Sequence, residues 1–175
     1  MNRRFTLALA GSVSLGFAFG QITRASEPPA RHSLESDYGF MIGRWTCHVT
    51  QAGTPDREIS VEYEWAYDRR VLRESMRLGD KLIGEFFTTY DKAKDGFKGV
   101  GVGAWGSYVV WENRGFHAAH LSEKGFTFDG GQMTPVSRSE FERVSDTHYV
   151  VRDFDAGTGS SAGPATDTED CNKVK

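Results

Sequence analysis

The sequence predicts an all-β fold, an antiparallel up-and-down barrel of about 8–10 strands with a short N-terminal helical turn. Apolar and polar residues alternate with period two in several short runs, most clearly over Glu58–Tyr67. Most gaps between these runs are short and carry hairpin signals such as Asp95-Gly96. Strands do not alternate with helices, which excludes a doubly wound fold. Closing such a meander into a barrel removes its exposed edges, and a β-sandwich is the alternative.

The elements are expected in a simple order along the chain. A helical turn is predicted over residues 36–41, where Ser36 is the candidate N-cap and Gly43 ends the turn. A turn at Glu123-Lys124-Gly125 is expected to separate two of the later strands. The predicted strands are Trp45–Gln51, Glu58–Tyr67, Val71–Leu78, Lys81–Asp91, Phe97–Gly103, Ser107–Glu112, Phe116–Leu121, Gly125–Asp129, Ser137–Val144 and Thr147–Asp155.

Length and composition place the chain among small globular domains. Its 175 residues are 38% hydrophobic and 13% aromatic, which is enough for one domain with a real core. The formal charge of −3 offers no basic surface for nucleic acid, so no nucleic-acid partner is expected. Oligomeric state does not follow from these features.

The N-terminal residues have the features of a secretory signal peptide. Arg3 and Arg4 precede an uncharged, moderately apolar stretch, and small residues end it at candidate cleavage sites after Gly20 and Ala25. The predicted organisation is a signal peptide over residues 1–20, a linker over residues 21–35 and a barrel domain over residues 36–175. A transmembrane anchor is the alternative, but the stretch is weakly hydrophobic. We therefore expect a periplasmic or secreted protein with no membrane span after signal removal.

The two cysteines are best interpreted together with export. Cys47 lies in the first predicted strand and Cys171 lies 124 residues later. In an oxidising compartment an even pair predicts one disulfide, which would join the C-terminal segment to the first strand. Two free thiols are the alternative.

Several apparent catalytic motifs do not fit the predicted structure. The residues Gly101-Val102-Gly103-Ala104-Trp105-Gly106 match GxGxxG, but a strand follows where a dinucleotide loop needs a helix. His117 and His120 lie three apart on a predicted strand and therefore point to opposite faces, so no metal site is expected.

The segment Phe40-Met41-Ile42-Gly43-Arg44-Trp45, ahead of the meander, resembles the opening of lipocalin and calycin barrels, and in particular a bacterial exported lipocalin-like family of unknown function. The resemblance spans about Tyr38 to Cys171. It implies a cup-shaped barrel with Gly43 and Trp45 at its closed end, Trp45 beneath the cavity, and a late arginine covering that tryptophan. Arg152 is the best match for this arginine and Arg143 the second.

The candidate ligand-binding residues are aromatic or polar side chains that could face inward. They are Tyr63, Trp65, Arg73, Arg77, Tyr90, Trp105, Tyr108, Trp111, His120 and His148. Aromatic rings with a few polar groups are the usual lining of a small-molecule site, although the same rings can simply fill a small barrel. On Val71–Leu78, Arg73 and Arg77 share one face and Glu74 lies on the other; the sequence leaves open which face points inward.

These features support three hypotheses about function. The leading hypothesis is an exported barrel that holds a small apolar or amphipathic molecule in its lumen. An enzyme of the isomerase, cyclase or hydrolase type, acting through Glu85, His120 or His148, is the second. A structural envelope protein with a filled core is the third. No cofactor is expected, apart from the option that His120 or His148 ligates haem, as in some barrels of the superfamily.

Overall fold

The computed structural model describes residues 32–104, 106–135, 138–154 and 164–175. A helix, α1 (Leu34–Tyr38), comes first and continues into a 3-10 turn at Gly39–Met41. The strands in the described residues are β1 (Gly43–Gln51), β2 (Arg57–Ala66), β3 (Val71–Leu78), β4 (Lys81–Asp91), β5 (Gly96–Gly103), β6 (Tyr108–Asn113), β7 (His120–Asp129), β8 (Gln132–Pro135), β9 (Arg138–Ser145), β10 (His148–Phe154) and β11 (Asp167–Lys173). The expected signal peptide and most of the linker lie outside the described residues.

The strands form a closed antiparallel barrel of ten strands, which confirms the predicted fold class. Strands β1 to β6 pair in sequence order, and β6 pairs in turn with β7. The ring continues through β9, β10 and β11 and closes where β11 pairs with β1. The remaining strand, β8, forms a hairpin with β7 and is not part of the ring. In the described residues, no helix has the length and apolar character needed to cross a membrane.

The N-cap of α1 lies three residues before the one that the sequence suggests. Ser33, rather than Ser36, is the N-cap: its Oγ accepts a hydrogen bond from the Ser36 N–H at 3.0 Å. In return, the Ser33 N–H donates to Ser36 Oγ at 3.0 Å. This capping box satisfies two N–H groups at the helix start. The predicted cap was wrong because both serines offer the same chemistry, and only their reciprocal contact distinguishes them.

The helix covers one end of the barrel, which we call the closed end. Asp37 Oδ1 accepts a hydrogen bond from the Phe116 N–H at 2.8 Å, and Asn113 Nδ2 donates to Tyr38 Oη at 2.9 Å. The Tyr38 ring meets Phe97 edge-on, with 5.0 Å between the ring centroids. These contacts fasten α1 over the start of β5 and the end of β6.

The tryptophan of the Gly-x-Trp motif anchors the closed end. Gly43 has φ of +120°, a conformation that suits glycine, and it begins β1. Trp45 is fully buried, and its Nε1 donates to the Met41 carbonyl at 2.6 Å. The Lys173 ammonium lies 5.3 Å from the Trp45 ring centroid and donates to the Phe40 carbonyl at 2.8 Å. This lysine faces Trp45 because the two residues are paired between β11 and β1.

The arginines that the resemblance assigned to cover Trp45 lie elsewhere. Arg152 donates to Glu142 Oε2 at 2.9 Å on the outer face of β9 and β10. Arg143 faces inward, but its guanidinium lies 4.3 Å above the Phe40 ring. The cation over the tryptophan is therefore Lys173, which is a departure from the pattern that the resemblance implied.

One strand in the structure replaces parts of two predicted strands, and two other strands were not predicted. The expected turn at Glu123-Lys124-Gly125 lies within β7, which joins the end of the predicted strand Phe116–Leu121 to Gly125–Asp129. Residues 116–119 precede β7, and His117 and His120 pair there as an isolated bridge. Gly125 serves close packing rather than a turn, since a Cβ there would lie 2.1 Å from the Val110 carbonyl oxygen. The unpredicted strands are β8 and β11. In β11, inward acidic residues hide the apolar alternation that usually indicates a strand.

The predicted disulfide is present. Cys47 and Cys171 are directly opposite each other in β1 and β11, and their sulfur atoms are 2.05 Å apart. Both side chains are fully buried. The bridge therefore joins the first and last strands of the described barrel across the point where the ring closes.

Candidate ligand-binding cavity

A cavity of about 340 Å³ lies inside the barrel, beyond the core packed beneath α1. Its size falls in the range of small-molecule sites. One part of its lining is apolar and consists of Met76, Phe86, Val109, Trp111, Phe141 and Val151. Another part is acidic and consists of Glu74, Glu123, Asp153 and Glu169. The cavity therefore combines an apolar wall with carboxyl groups.

Two glycines of β5 make room for the aromatic part of the wall. A Cβ at Gly99 would lie 2.0 Å from Trp111 Cε2, and a Cβ at Gly101 would lie 2.0 Å from Phe86 Cδ1. The indole and phenyl rings thus pack directly against the bare backbone of β5. Their centroids are 5.9 Å apart. Part of the space that the bare backbone of β5 leaves in the lumen is therefore taken by the two rings.

Trp111 also presents an unused donor at this wall. Its Nε1 is inaccessible to solvent and has no hydrogen-bond partner among the described residues. A buried N–H without an acceptor is unfavourable by roughly 1–3 kcal/mol.

The acidic residues come from four strands that face the same lumen. Tyr63 and Glu74 are cross-strand neighbours on β2 and β3. On the other side of the barrel, Glu123 is paired with Ser139, and Ser139 with Asp153. Glu169 on β11 faces the cavity beside Val151. The register therefore brings carboxyl groups from distant parts of the sequence to one cavity.

Burial raises the pKa values of these carboxyl groups. It raises the pKa of Glu74 to about 8, with repulsion from Glu123 as a further cause. It raises the pKa of Glu123 to about 8, against a hydrogen bond from Asn113 that lowers it. Burial and repulsion from Glu74 raise the pKa of Glu169 to about 8. Burial also raises the pKa of Asp153. The ionised forms of these carboxyl groups are thus disfavoured in the cavity.

A pair of tyrosines lies between the cavity and the closed end. The hydroxyl oxygens of Tyr63 and Tyr149 are 3.1 Å apart and hydrogen-bonded. Cys47 Sγ lies 3.8 Å from the Tyr149 hydroxyl. Burial raises the pKa of both phenols well above 10, so they are neutral hydrogen-bonding groups. Tyr63 also forms a hydrogen bond that lowers the pKa of Glu74.

The structure places only part of the predicted ligand-binding set at the cavity. Tyr63 and Trp111 line it. Trp65 packs against the buried core without lining the cavity. Tyr90 packs on Phe97 near the closed end, and its hydroxyl donates to Asp95 Oδ1 at 2.7 Å. Trp105 lies outside the described residues.

The other predicted residues lie on the outer face. Arg73 forms ion pairs with Glu64 and Glu85, and Arg77 donates to the Asp80 carbonyl at 3.1 Å. These contacts follow from the register, which turns Glu74 and Met76 inward and the arginines outward.

The outer face also carries Tyr108 and both histidines. Tyr108 stacks on Phe128 with ring centroids 4.5 Å apart. His148 Nε2 lies 3.1 Å from Asp170 Oδ1, and His120 is exposed. The catalytic group considered from the sequence, Glu85 with His120 and His148, therefore does not converge in the lumen. Neither histidine offers a haem ligand there.

The acidic lining was not predicted from the sequence. The sequence places Glu74 on one face of a predicted strand, but whether that face points inward depends on the register of strand pairing. Asp153 lies in the predicted strand Thr147–Asp155, whose inward face likewise depends on register. The available signal was alternation: Asp153 is two residues from Val151, and Glu123 two from Leu121.

A metal site does not account for these acids. In the described part of the chain, the one group of three or more possible ligand atoms within 4.8 Å of one another comprises Cys47, Glu169 and Cys171. Both sulfur atoms are used by the disulfide. The lumen carboxylates are thus too widely spaced to enclose a bare ion together.

The comparisons with protein families and with curated proteins found no relative. The sequence matches no model of a known protein family, and no curated protein is significantly similar to it.

Proposed function

We propose that the protein is an exported small-molecule carrier that holds an apolar or amphipathic ligand in the barrel lumen. The observation that carries this proposal is the cavity of about 340 Å³, whose lining combines aromatic and aliphatic groups with polar ones. The lipocalin-like features, a barrel with a helical closed end and Trp45 buried beneath it, support the same proposal. The disulfide supports export, because such bridges persist in oxidising compartments.

Binding would use the two kinds of lining differently. Burial of an apolar ligand body against Phe86, Trp111 and Phe141 supplies the main stabilisation, in proportion to the area removed from water. Polar atoms of the ligand are oriented by the carboxyl groups and by the Tyr63 hydroxyl. The rigid barrel keeps the site largely formed before binding, which reduces the entropic cost of association.

Uptake of a neutral apolar dye tests the proposal. N-phenyl-1-naphthylamine should gain fluorescence when the purified protein is added. Val109 lines the cavity and Val110, the next residue of β6, faces outward, so the pair provides a matched test. We expect Val109→Phe to weaken dye binding several-fold because it fills the lumen, and Val110→Phe to leave it unchanged.

The controls make the outcome decisive. Circular dichroism and thermal unfolding should establish that both variants are folded. If the unmodified protein takes up no dye, or if both variants lose binding equally, the lumen is not the binding site and the proposal fails.

A further inference from the structure

The inner face of the barrel carries carboxyl groups that have no cationic partner. Glu74, Glu123, Asp153 and Glu169 all line the cavity, and none of them forms an ion pair with a described lysine, arginine or histidine. Buried acids in proteins are usually paired. Four unpaired acids at one cavity therefore indicate a cationic group that arrives from outside.

We propose that the ligand of this cavity is an organic cation, a protonated or quaternary amine attached to an apolar body. The proposal rests on the proposed function and specifies its ligand class. Carboxylates that are spread around a cavity suit a protonated amine, because each of its N–H groups can donate to a different acid.

The hydrogen-bond partners of the acids leave free acceptors. Glu123 accepts one hydrogen bond from Asn113 at 2.8 Å, and Asp153 accepts one from Ser139 at 2.5 Å. Glu169 accepts no side-chain hydrogen bond from the described residues, although its carboxyl group lies at the cavity. A carboxylate has about four acceptor positions, so most of them are open to a ligand.

The cations of the described residues near these acids are directed elsewhere. Arg57 lies 3.7 Å from Asp167, outside the cavity lining. Lys124 borders the cavity next to Glu123, but its side chain is exposed and alternation along β7 turns it outward. Arg143 lies over Phe40 and Lys173 near Trp45, both at the closed end. Arg57 lowers the pKa of Glu169 through its charge but forms no ion pair with it, so no cation of the described residues is paired with a lumen acid.

Ligand-atom spacing and the apolar wall favour an organic cation over a metal ion. No three of the described lumen carboxylates place oxygen atoms within 4.8 Å of one another, as a small ion would require. Phe86 and Trp111 meanwhile offer ring surfaces that attract a cation and pack against a hydrocarbon body.

A charge series with one hydrocarbon tail tests the proposal in the unmodified protein. Octylammonium, octanol and octanoate should each be titrated against the dye-loaded protein at pH 7.5, with displacement of N-phenyl-1-naphthylamine as the readout. We expect octylammonium to bind about tenfold more tightly than octanol, and octanoate to bind most weakly, since hydrogen bonds between charged partners are stronger than those between neutral ones.

A matched pair of variants locates the effect. Glu169 faces the cavity and Asp170, the next residue of β11, faces outward towards His148. Glu169→Gln should reduce octylammonium affinity several-fold and leave octanol unchanged, and Asp170→Asn should change neither. Glu74→Gln provides a second lumen variant if Glu169→Gln is poorly folded.

The outcomes separate this inference from the proposed function. Octanol binding as tightly as octylammonium, or equal effects of Glu169→Gln and Asp170→Asn, overturns the organic-cation proposal while the carrier function stands. If the dye and all three octyl compounds fail to bind, the carrier function fails as well.

Discussion

At the scale of single residues, Glu74 is a carboxyl group that lies in a cavity where its ionised form is unfavourable. Its carboxyl faces the lumen beside Tyr63, with Glu123 and Glu169 reaching the same space from other strands. Tyr149 faces it from β10 as a neutral phenol. Every titratable neighbour among these is an acid, so within the group the hydrogen bond with Tyr63 is what offsets the cost of ionising Glu74.

This arrangement predicts that stability declines as pH rises. The pKa of Glu74 is about 8 in the folded protein and 4.5 is its ordinary value, so this carboxyl group ionises more readily in the unfolded chain. The resulting stability is complete below pH 4.5 and is lost as the pH rises to about 8 and beyond. Glu74→Gln cannot ionise and should therefore gain stability relative to the unmodified protein at pH 9, by more than ~1 kcal/mol.

Urea unfolding at pH 5 and pH 9 measures this difference. The expected advantage of Glu74→Gln at pH 9 should shrink at pH 5, where the carboxyl is mostly protonated in the folded protein. Asp170→Asn, on the exposed outer face, should show no such pH-dependent gain. An advantage that is equal at both pH values would mean that ionisation of Glu74 is not its cause.

At the scale of elements, β5 determines the shape of the aromatic wall. Its inward glycines at positions 99 and 101 leave room for Trp111 and Phe86, while its outward positions carry valines. Gly101→Ala would place a methyl group in the Phe86 ring and force that ring into the lumen. We expect a loss of stability of ~1–3 kcal/mol, typical of overpacking, together with weaker dye binding.

Val102→Ala is the matched control for this strand. Val102 is adjacent to Gly101 and more than half exposed on the outer face, so its truncation should change stability by less than ~0.5 kcal/mol. Thermal unfolding and the dye titration together report both effects. Equal behaviour of the two variants would show that the Phe86 ring does not depend on the glycine.

Sequence patterns predict these elements unevenly, for a physical reason. The strand β2 is evident because inward Ile59, Val61 and Tyr63 alternate with outward polar residues. In β11 the inward positions include Asp167 and Glu169, so the apolar alternation fails there, and Glu169 is a residue that lines the cavity. Tyr63 and Trp111 were identified because aromatic rings are conspicuous. The acids were not identified because a strand's inward face depends on pairing with distant strands.

At the scale of the whole molecule, the disulfide reinforces the closure of the ring. Cys47 and Cys171 are separated by 124 residues, so the bridge restricts a long loop in the unfolded chain. Removing it with Cys47→Ala and Cys171→Ala together should lower the free energy of unfolding by ~2–5 kcal/mol.

Urea unfolding of the double variant, beside the unmodified protein with and without reductant, measures this contribution. The reduced protein should unfold at a urea concentration close to that of the double variant. Because the bridge lies outside the cavity lining, dye affinity should persist under conditions where the variant is folded. An unchanged unfolding midpoint would contradict a stabilising role for the bridge.

The position of β11 between β1 and β10 has a consequence for the order of folding. Most neighbouring strands of the ring are also neighbours in sequence and can pair as local hairpins. The β1–β11 contact is different, since it joins the two sequence extremes of the ring and must await a slow, long-range encounter. Until then the chain is an open, curled sheet whose terminal edges can pair with other chains. Oxidation of the cysteines makes the encounter permanent, so we expect formation of the disulfide to be the step that commits the sheet to a single closed barrel.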